Sequence, residues 1–311
     1  MTTVEPNVSR SRAWLMAARP QTLPAAIAPV VVGTGLALHD HVFALVPALF
    51  AALGAALIQI GTNFANDYYD AKHGADTDDR EGFTRVTQTG LIPPGQVKRA
   101  AVTTFALAIL AGVYLVFVGG LPIVVIGLSG VLFGWAYTGG PYPLGYHGLG
   151  DLFVFVYFGL VAVAGTYYVQ AASHVVEGFP LTLPPDAITT DSLLAGVPIG
   201  ALATAILVVN NLRDVDTDAE TGKRTLAVRF GRRFTKLQWT ALVAVAYLVP
   251  IGLWTDPHLG AAVLLPLLTI PHALLVGRLV WQEVDLNFAL ERTGMLLTLY
   301  ALTFAGGLIL S

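Results

Sequence analysis

The sequence predicts an all-α integral membrane protein with about nine transmembrane helices. Three observations carry that prediction. Of 311 residues, 55% are hydrophobic and only 12% are charged, a composition of the membrane class. Apolar runs recur at the length needed to cross a bilayer, and the basic residues fall only at alternate connections between them. The net charge of −3 says nothing useful about partners, and no nucleic acid is expected among them. With no cysteine in the chain, disulfides and thiolate metal sites are excluded.

Residues 1–18 are polar and carry Arg10 and Arg12, so they read as a cytoplasmic N-terminal tail, with 19–311 as a single transmembrane domain. The short apolar core and small-residue cleavage site of a signal peptide are missing, and the first apolar run reads as a retained span. Helices of roughly 17–25 apolar residues cross about 30 Å of hydrocarbon. Such runs cover 22–39, 43–65, 99–118, 121–137, 152–172, 192–212, 237–255, 259–277 and 287–310. The third and fourth meet at Gly119-Gly120, where a re-entrant turn is the alternative to two spans.

Nine spans with the N-terminus inside put all 17 Lys and Arg residues on the cytoplasmic side or at its boundary, as the positive-inside rule requires. A different count scatters them over both sides. Connections on the other side, such as 173–191, hold acids and His174 but no Lys or Arg. The expected location is the cell (inner or plasma) membrane.

On that topology the second and sixth spans both end on the cytoplasmic side, and each ends in acids. The segments are Asn63-Phe64-Ala65-Asn66-Asp67-Tyr68-Tyr69-Asp70 and Asn211-Leu212-Arg213-Asp214-Val215-Asp216-Thr217-Asp218. Carboxylates beside hydrocarbon are unfavourable and mark function. Asn66/Asp70 and Asp214/Asp218 are i,i+4 pairs, each showing two oxygen ligands on one helix face. Oxygen donors without His or Cys suit Mg²⁺, above all when a substrate brings phosphates. Basic loops follow both clusters and supply diphosphate-binding candidates: Lys72, Arg80 and Arg85, then Lys223, Arg224 and Arg229. One such cluster alone is more often a solvated helix cap than a site; two, matched in spacing, side and basic loop, argue for a site. Asp67 and Asp216 lie elsewhere on their helices, where they would bind water-bridged metal or orient basic residues.

A third segment on the same side runs from Phe133 to Asp151 through Tyr137-Thr138-Gly139-Gly140-Pro141. Its Gly and Pro break helix and admit a close ligand. Its aromatics would flank an aromatic acceptor or a carbocation, or form an interfacial belt. Arg19 reads as a positive-inside anchor or a contact for a substrate's carboxylate or phosphate.

At these residues the chain resembles the UbiA superfamily of intramembrane aromatic prenyltransferases. The likeness rests on Asn66-Asp67-Tyr68-Tyr69-Asp70 and Asp214-Val215-Asp216-Thr217-Asp218. It extends to Ala18-Arg19-Pro20, Gly74 to Arg80, Thr87 to Leu91, Tyr137 to Pro141, Gly148 to Asp151 and Gly222 to Arg229. The Thr-Gly-Gly-Pro loop resembles the branch that prenylates 1,4-dihydroxy-2-naphthoate. The resemblance implies a helical bundle whose central cavity opens sideways to the lipid bilayer. It implies Mg²⁺ as cofactor, with polyprenyl diphosphate and 1,4-dihydroxy-2-naphthoate as substrates, and loss of diphosphate and CO2 to give demethylmenaquinone. Asp67, Asp70, Asp214 and Asp218 would be catalytic; Asn66, Asp70, Asp214 and Asp218 would hold metal. Arg19, Asn63, Tyr137 and Asn211 would meet the acceptor. Alternatives are another acceptor (4-hydroxybenzoate, homogentisate or a chlorophyllide) or an ion-coupled transporter. A transporter would keep its charges near mid-membrane in broken helices, whereas these lie at helix ends.

Overall fold

A computed structural model describes residues 8–73, 85–175 and 178–311, and among these every regular element is helical. α1 (Arg10–Ala18) leads through the short turn Pro20–Thr22 into α2 (Leu23–His39) and α3 (Leu45–His73). α4 (Pro94–Ala136) follows. One span joins α5 (Gly150–Val154), a π-helical stretch (Phe155–Val161) and α6 (Ala162–Val175). α7 (Thr190–Arg213), α8 (Val215–Glu220) and α9 (Leu226–Leu253) come next. A 3-10 stretch (Ala261–Thr269) continues as α10 (Ile270–Gln282), and α11 (Leu286–Leu310) ends the fold. The starts are capped by side-chain oxygens: Thr189 accepts from Ser192 N, Thr225 from Val228 N and Asp285 from Phe288 N.

Eight helical runs among the described residues are long and apolar enough to cross a membrane. The longest, α4, has 43 residues, about 65 Å as a straight rod and twice the hydrocarbon thickness. It does not run straight. At Gly120 (φ 63°, ψ −150°) the chain folds back on itself. Phe105 before the bend and Gly134 after it face the same stretch of α3: a Cβ at Gly61 would sit 3.0 Å from the Phe105 ring, and one at Gly134 3.7 Å from Ile58. α4 is therefore two arms, and the eight helical runs among the described residues make nine spans. Only glycine suits the bend, because a Cβ there would lie 2.0 Å from the Pro180 carbonyl oxygen. The freed backbone groups find partners: Tyr168 Oη donates to Gly119 O at 2.7 Å and Leu121 N to Pro180 O at 2.9 Å.

α7 is buried along most of its length and forms the centre of the bundle. Small residues let helices approach it and one another, as in other membrane bundles. Gly159 of the π-helical stretch lies against Gly196 and Gly200, and Gly35 of α2 against Ala305 of α11. The widened π turn accompanies a cluster of Phe133, Phe153 and Tyr157, with Phe133 4.7 Å and 5.3 Å from the other two ring centres. All three rings line a central cavity of about 1610 Å³. Phe117, Leu128 and Met295 line it too and are exposed on the bundle's outer surface, so the cavity opens sideways between helices.

Within the segment read as an N-terminal tail, α1 docks on the bundle: Ala13 and Ala17 are buried against the Phe64, Val97 and Ala101 cluster, and Trp14 meets Phe64 edge-on at 5.8 Å. Two alanines four apart give α1 the flat face that docks.

Because the chain holds no cysteine, single cysteines can be added on a silent background. Gly95→Cys and Tyr142→Cys should react with an impermeant maleimide from the same side of the membrane, and Leu181→Cys from the other. Labelling of positions 95 and 142 from opposite sides would contradict the hairpin.

Candidate active site

The polar end of the cavity is built where α3 and α7 finish. Asn66 and Asp70 reach it from α3, and Asp214 and Asp218 from the end of α7 and from α8. The 3.6-residue turn that stacks i,i+4 side chains places each pair on the cavity side. The two clusters, far apart in sequence, thus share one chamber.

Each carboxylate meets a cation. Asp70 forms a buried ion pair with Arg85. Asp214 is clamped by its neighbour Arg213, Nε donating at 2.6 Å and Nη2 at 2.7 Å. Asp218 lies 3.1 Å from Lys223 Nζ. Tyr146 ties the halves together: its hydroxyl donates to Asp70 Oδ1 at 2.6 Å, and Lys223 Nζ lies 5.0 Å from its ring centre. Arg213 also donates to Asn287 at 2.9 Å, fixing α11 to the same rim.

Asp67, expected among the catalytic acids, has a different place. It is fully buried, and its two oxygens accept from the backbone N of Val86 (3.1 Å) and Thr87 (3.0 Å). A carboxylate spent on two backbone donors sets the path of the chain at Arg85, so Asp67 positions the arginine that pairs with Asp70. Of the diphosphate-binding candidates, Arg85 and Lys223 line the cavity. Lys72 is exposed and does not line it; Arg224 points outward, while its backbone N donates to Tyr146 O at 2.7 Å. Arg229 bonds the backbone of Arg224 and His147. Arg80 lies outside the described residues. Asp216 is exposed and pairs with Arg232 at 2.6 Å, away from the cavity.

The acceptor candidates Arg19, Asn63, Tyr137 and Asn211 all line the cavity. Asn63 Nδ2 donates to Ala18 O (2.9 Å) and Thr22 Oγ1 (2.8 Å), which holds the entry to α2 against α3. Thr138 Oγ1 donates to Asn66 Oδ1 at 2.8 Å.

The donors at the rim are oxygens, and among the described residues no histidine lines the cavity. Oxygen donors suit a hard divalent ion; among the described residues no group of three or more His, Cys, Asp or Glu side chains is placed to hold one.

The UbiA prenyltransferase family model matches residues 26–302. The chain belongs to the UbiA prenyltransferase family. Among similar members is a 1,4-dihydroxy-2-naphthoate octaprenyltransferase of Mycobacterium tuberculosis, 40% identical over 300 residues, covering 95% of this chain and 96% of that one. The protein of that name from Escherichia coli is 39% identical, covering 99% and 98%. UbiA prenyltransferase domain-containing protein 1 of Homo sapiens is 31% identical, covering 96% and 83%. The fold matches the apo structure of a UbiA homolog from Aeropyrum pernix K1 (TM-score 0.67, 15% identity, covering 92% and 96%). It also matches a UbiA homolog from Archaeoglobus fulgidus bound to DMAPP and Mg2+ (TM-score 0.62, 16% identity, covering 95% and 98%).

Within this family site, Tyr146 and Arg213 carry contacts that sequence spacing did not single out. A hydrogen bond to a charged group is worth about 1.5–3 kcal/mol. Tyr146→Phe should therefore lower prenyl transfer roughly ten- to a hundredfold and also lower thermal stability in detergent, since the bond is present in the resting protein. Wild-type turnover in that variant would show that the bridge is dispensable.

Proposed function

We propose that this chain transfers a polyprenyl group from polyprenyl diphosphate to 1,4-dihydroxy-2-naphthoate, releasing diphosphate and CO2. The observation that carries this reading is the meeting of two acid clusters, each paired with cations, at the polar end of a cavity that is apolar elsewhere and open to lipid. Relatives named for that reaction, matched over almost the whole chain, supply the acceptor.

The apolar walls take the polyprenyl tail, and the diphosphate sits at the rim. Arg85 and Lys223 receive its oxygens, exchanging their contacts with Asp70 and Asp218. Asn66, Asp70, Asp214 and Asp218 would hold Mg²⁺, which when bound supplies positive charge against the diphosphate. The allylic C–O bond breaks and its electron pair leaves with the diphosphate. Phe133, Phe153 and Tyr157 offer ring faces to the allylic cation and keep water from it. Arg19 pairs with the acceptor's carboxylate, and Tyr137 and Asn211 meet its hydroxyls. The ring carbon bearing the carboxylate bonds the prenyl carbon. The C–CO2 bond then breaks, its electrons return to the ring, and demethylmenaquinone forms at the quinol level. The distribution of Lys and Arg supports an orientation with this rim on the cytoplasmic side.

Membranes supplied with labelled polyprenyl diphosphate and a panel of aromatic acids test the reading. Product should form with 1,4-dihydroxy-2-naphthoate, evolve CO2, and disappear on chelation of divalent ions. Metal-independent turnover, or product only with 4-hydroxybenzoate, would overturn it.

A further inference from the structure

Tyr137 and Asn211 line not only the main cavity but also a second, much smaller chamber, shared with Thr225 and Asp151. The glycines of the 145–150 turn make this chamber: a Cβ at Gly150 would lie 2.9 Å from the Tyr137 hydroxyl oxygen. Its volume of about 10 Å³ is room for one water centre. Asp151 is only 8% exposed. Its Oδ2 accepts from Gln238 Nε2 of α9 at 3.0 Å, while Oδ1 is buried with no hydrogen-bond partner among the described residues. A buried carboxyl oxygen without a donor is unfavourable, and in native proteins it commonly marks a bound water or a functional group.

We propose that Asp151 is a positioning residue for the acceptor half of the reaction, orienting Tyr137 through a single water in this chamber. The idea rests on the aromatic-acceptor reading above. Asp151 Oδ1 accepts from the water, the water accepts from the Tyr137 hydroxyl, and the Tyr137 oxygen is left to accept from the acceptor's hydroxyl in the main cavity. No proton changes owner along this chain. Its direction matters, because an acceptor hydroxyl that donates a hydrogen bond leaves its ring richer in electrons, as attack on the allylic cation requires. Asp151→Asn would turn the direction round: its oxygen goes to Gln238 and its amide faces the chamber as a donor.

The test is a double-variant cycle on purified full-length protein, assayed with polyprenyl diphosphate and 1,4-dihydroxy-2-naphthoate. Asp151→Asn should lower kcat about tenfold, the worth of one hydrogen bond. It should leave the KM for the diphosphate unchanged and cause no further loss when Tyr137 is already Phe. Gln238→Leu, which leaves Asp151 in place but releases its anchor, should show the same pattern and serves if Asp151→Asn does not fold. Equal losses in both backgrounds, a shifted diphosphate KM, or an unchanged kcat would overturn the role. Wild-type turnover with additive losses rejects this role alone; wild-type protein without aromatic turnover rejects the acceptor reading with it.

Discussion

Charge at the edge of hydrocarbon must be compensated, and the way this chain does so organises the rest of its structure. Asp70, Asp214 and Asp218 are each nine-tenths or more buried, and each has a basic partner: Arg85, Arg213 and Lys223. Removing one partner of a buried pair typically costs about 3–5 kcal/mol, so these positions constrain one another. Three elements are held in place by that need. The chain at Arg85 is set by Asp67, the Gly-rich turn is held by Tyr146 on Asp70, and α11 is joined through Asn287 to Arg213. The same pairs make a chemical device, because cations that neutralise carboxylates in one state can meet phosphate oxygens in another.

The remainder of the bundle keeps a large space open beneath this rim. Helices pack closely where glycine and alanine meet, at Gly35 with Ala305 and at Gly159 with Gly196 and Gly200. The cavity lies between α2, α3, the two arms of α4, the π-helical stretch with α5 and α6, α7 and α11. A polar end beside an apolar, laterally open body suits a substrate with a charged head and a long hydrocarbon tail.

Much of this is legible in the chain. Apolar run length and the one-sided distribution of Lys and Arg yield nine spans, including the pair joined at Gly119-Gly120, where only glycine can make the bend. The i,i+4 spacing of Asn66/Asp70 and Asp214/Asp218 puts each pair on one face, and helix geometry delivers both to one cavity. What could not be read depends on tertiary direction. Helix spacing already sets Asp67 off the face of Asn66 and Asp70, but its partners, the backbone of Val86 and Thr87, need the loop in place. Lys72 and Arg224 occupy basic segments, but nothing local says which way a long side chain in a loop or at a helix end will point. Tyr146 and Asp151 acquire their partners from segments tens of residues away, and Arg213 adds the distant Asn287 to its neighbour Asp214. The burial of Ala13 and Ala17 likewise needs Phe64 and Val97 to be in place.

The central claim is that two clusters act as one site around one diphosphate and its metal. Calorimetric titration of the purified protein with a non-reactive prenyl thiolodiphosphate, with and without Mg²⁺, tests it without any acceptor or turnover. The account predicts binding that tightens strongly with Mg²⁺ and that loses this metal-dependent gain in Asp70→Ala and in Asp214→Ala alike. Full Mg²⁺-dependent affinity in either variant would contradict it, since one cluster would then suffice.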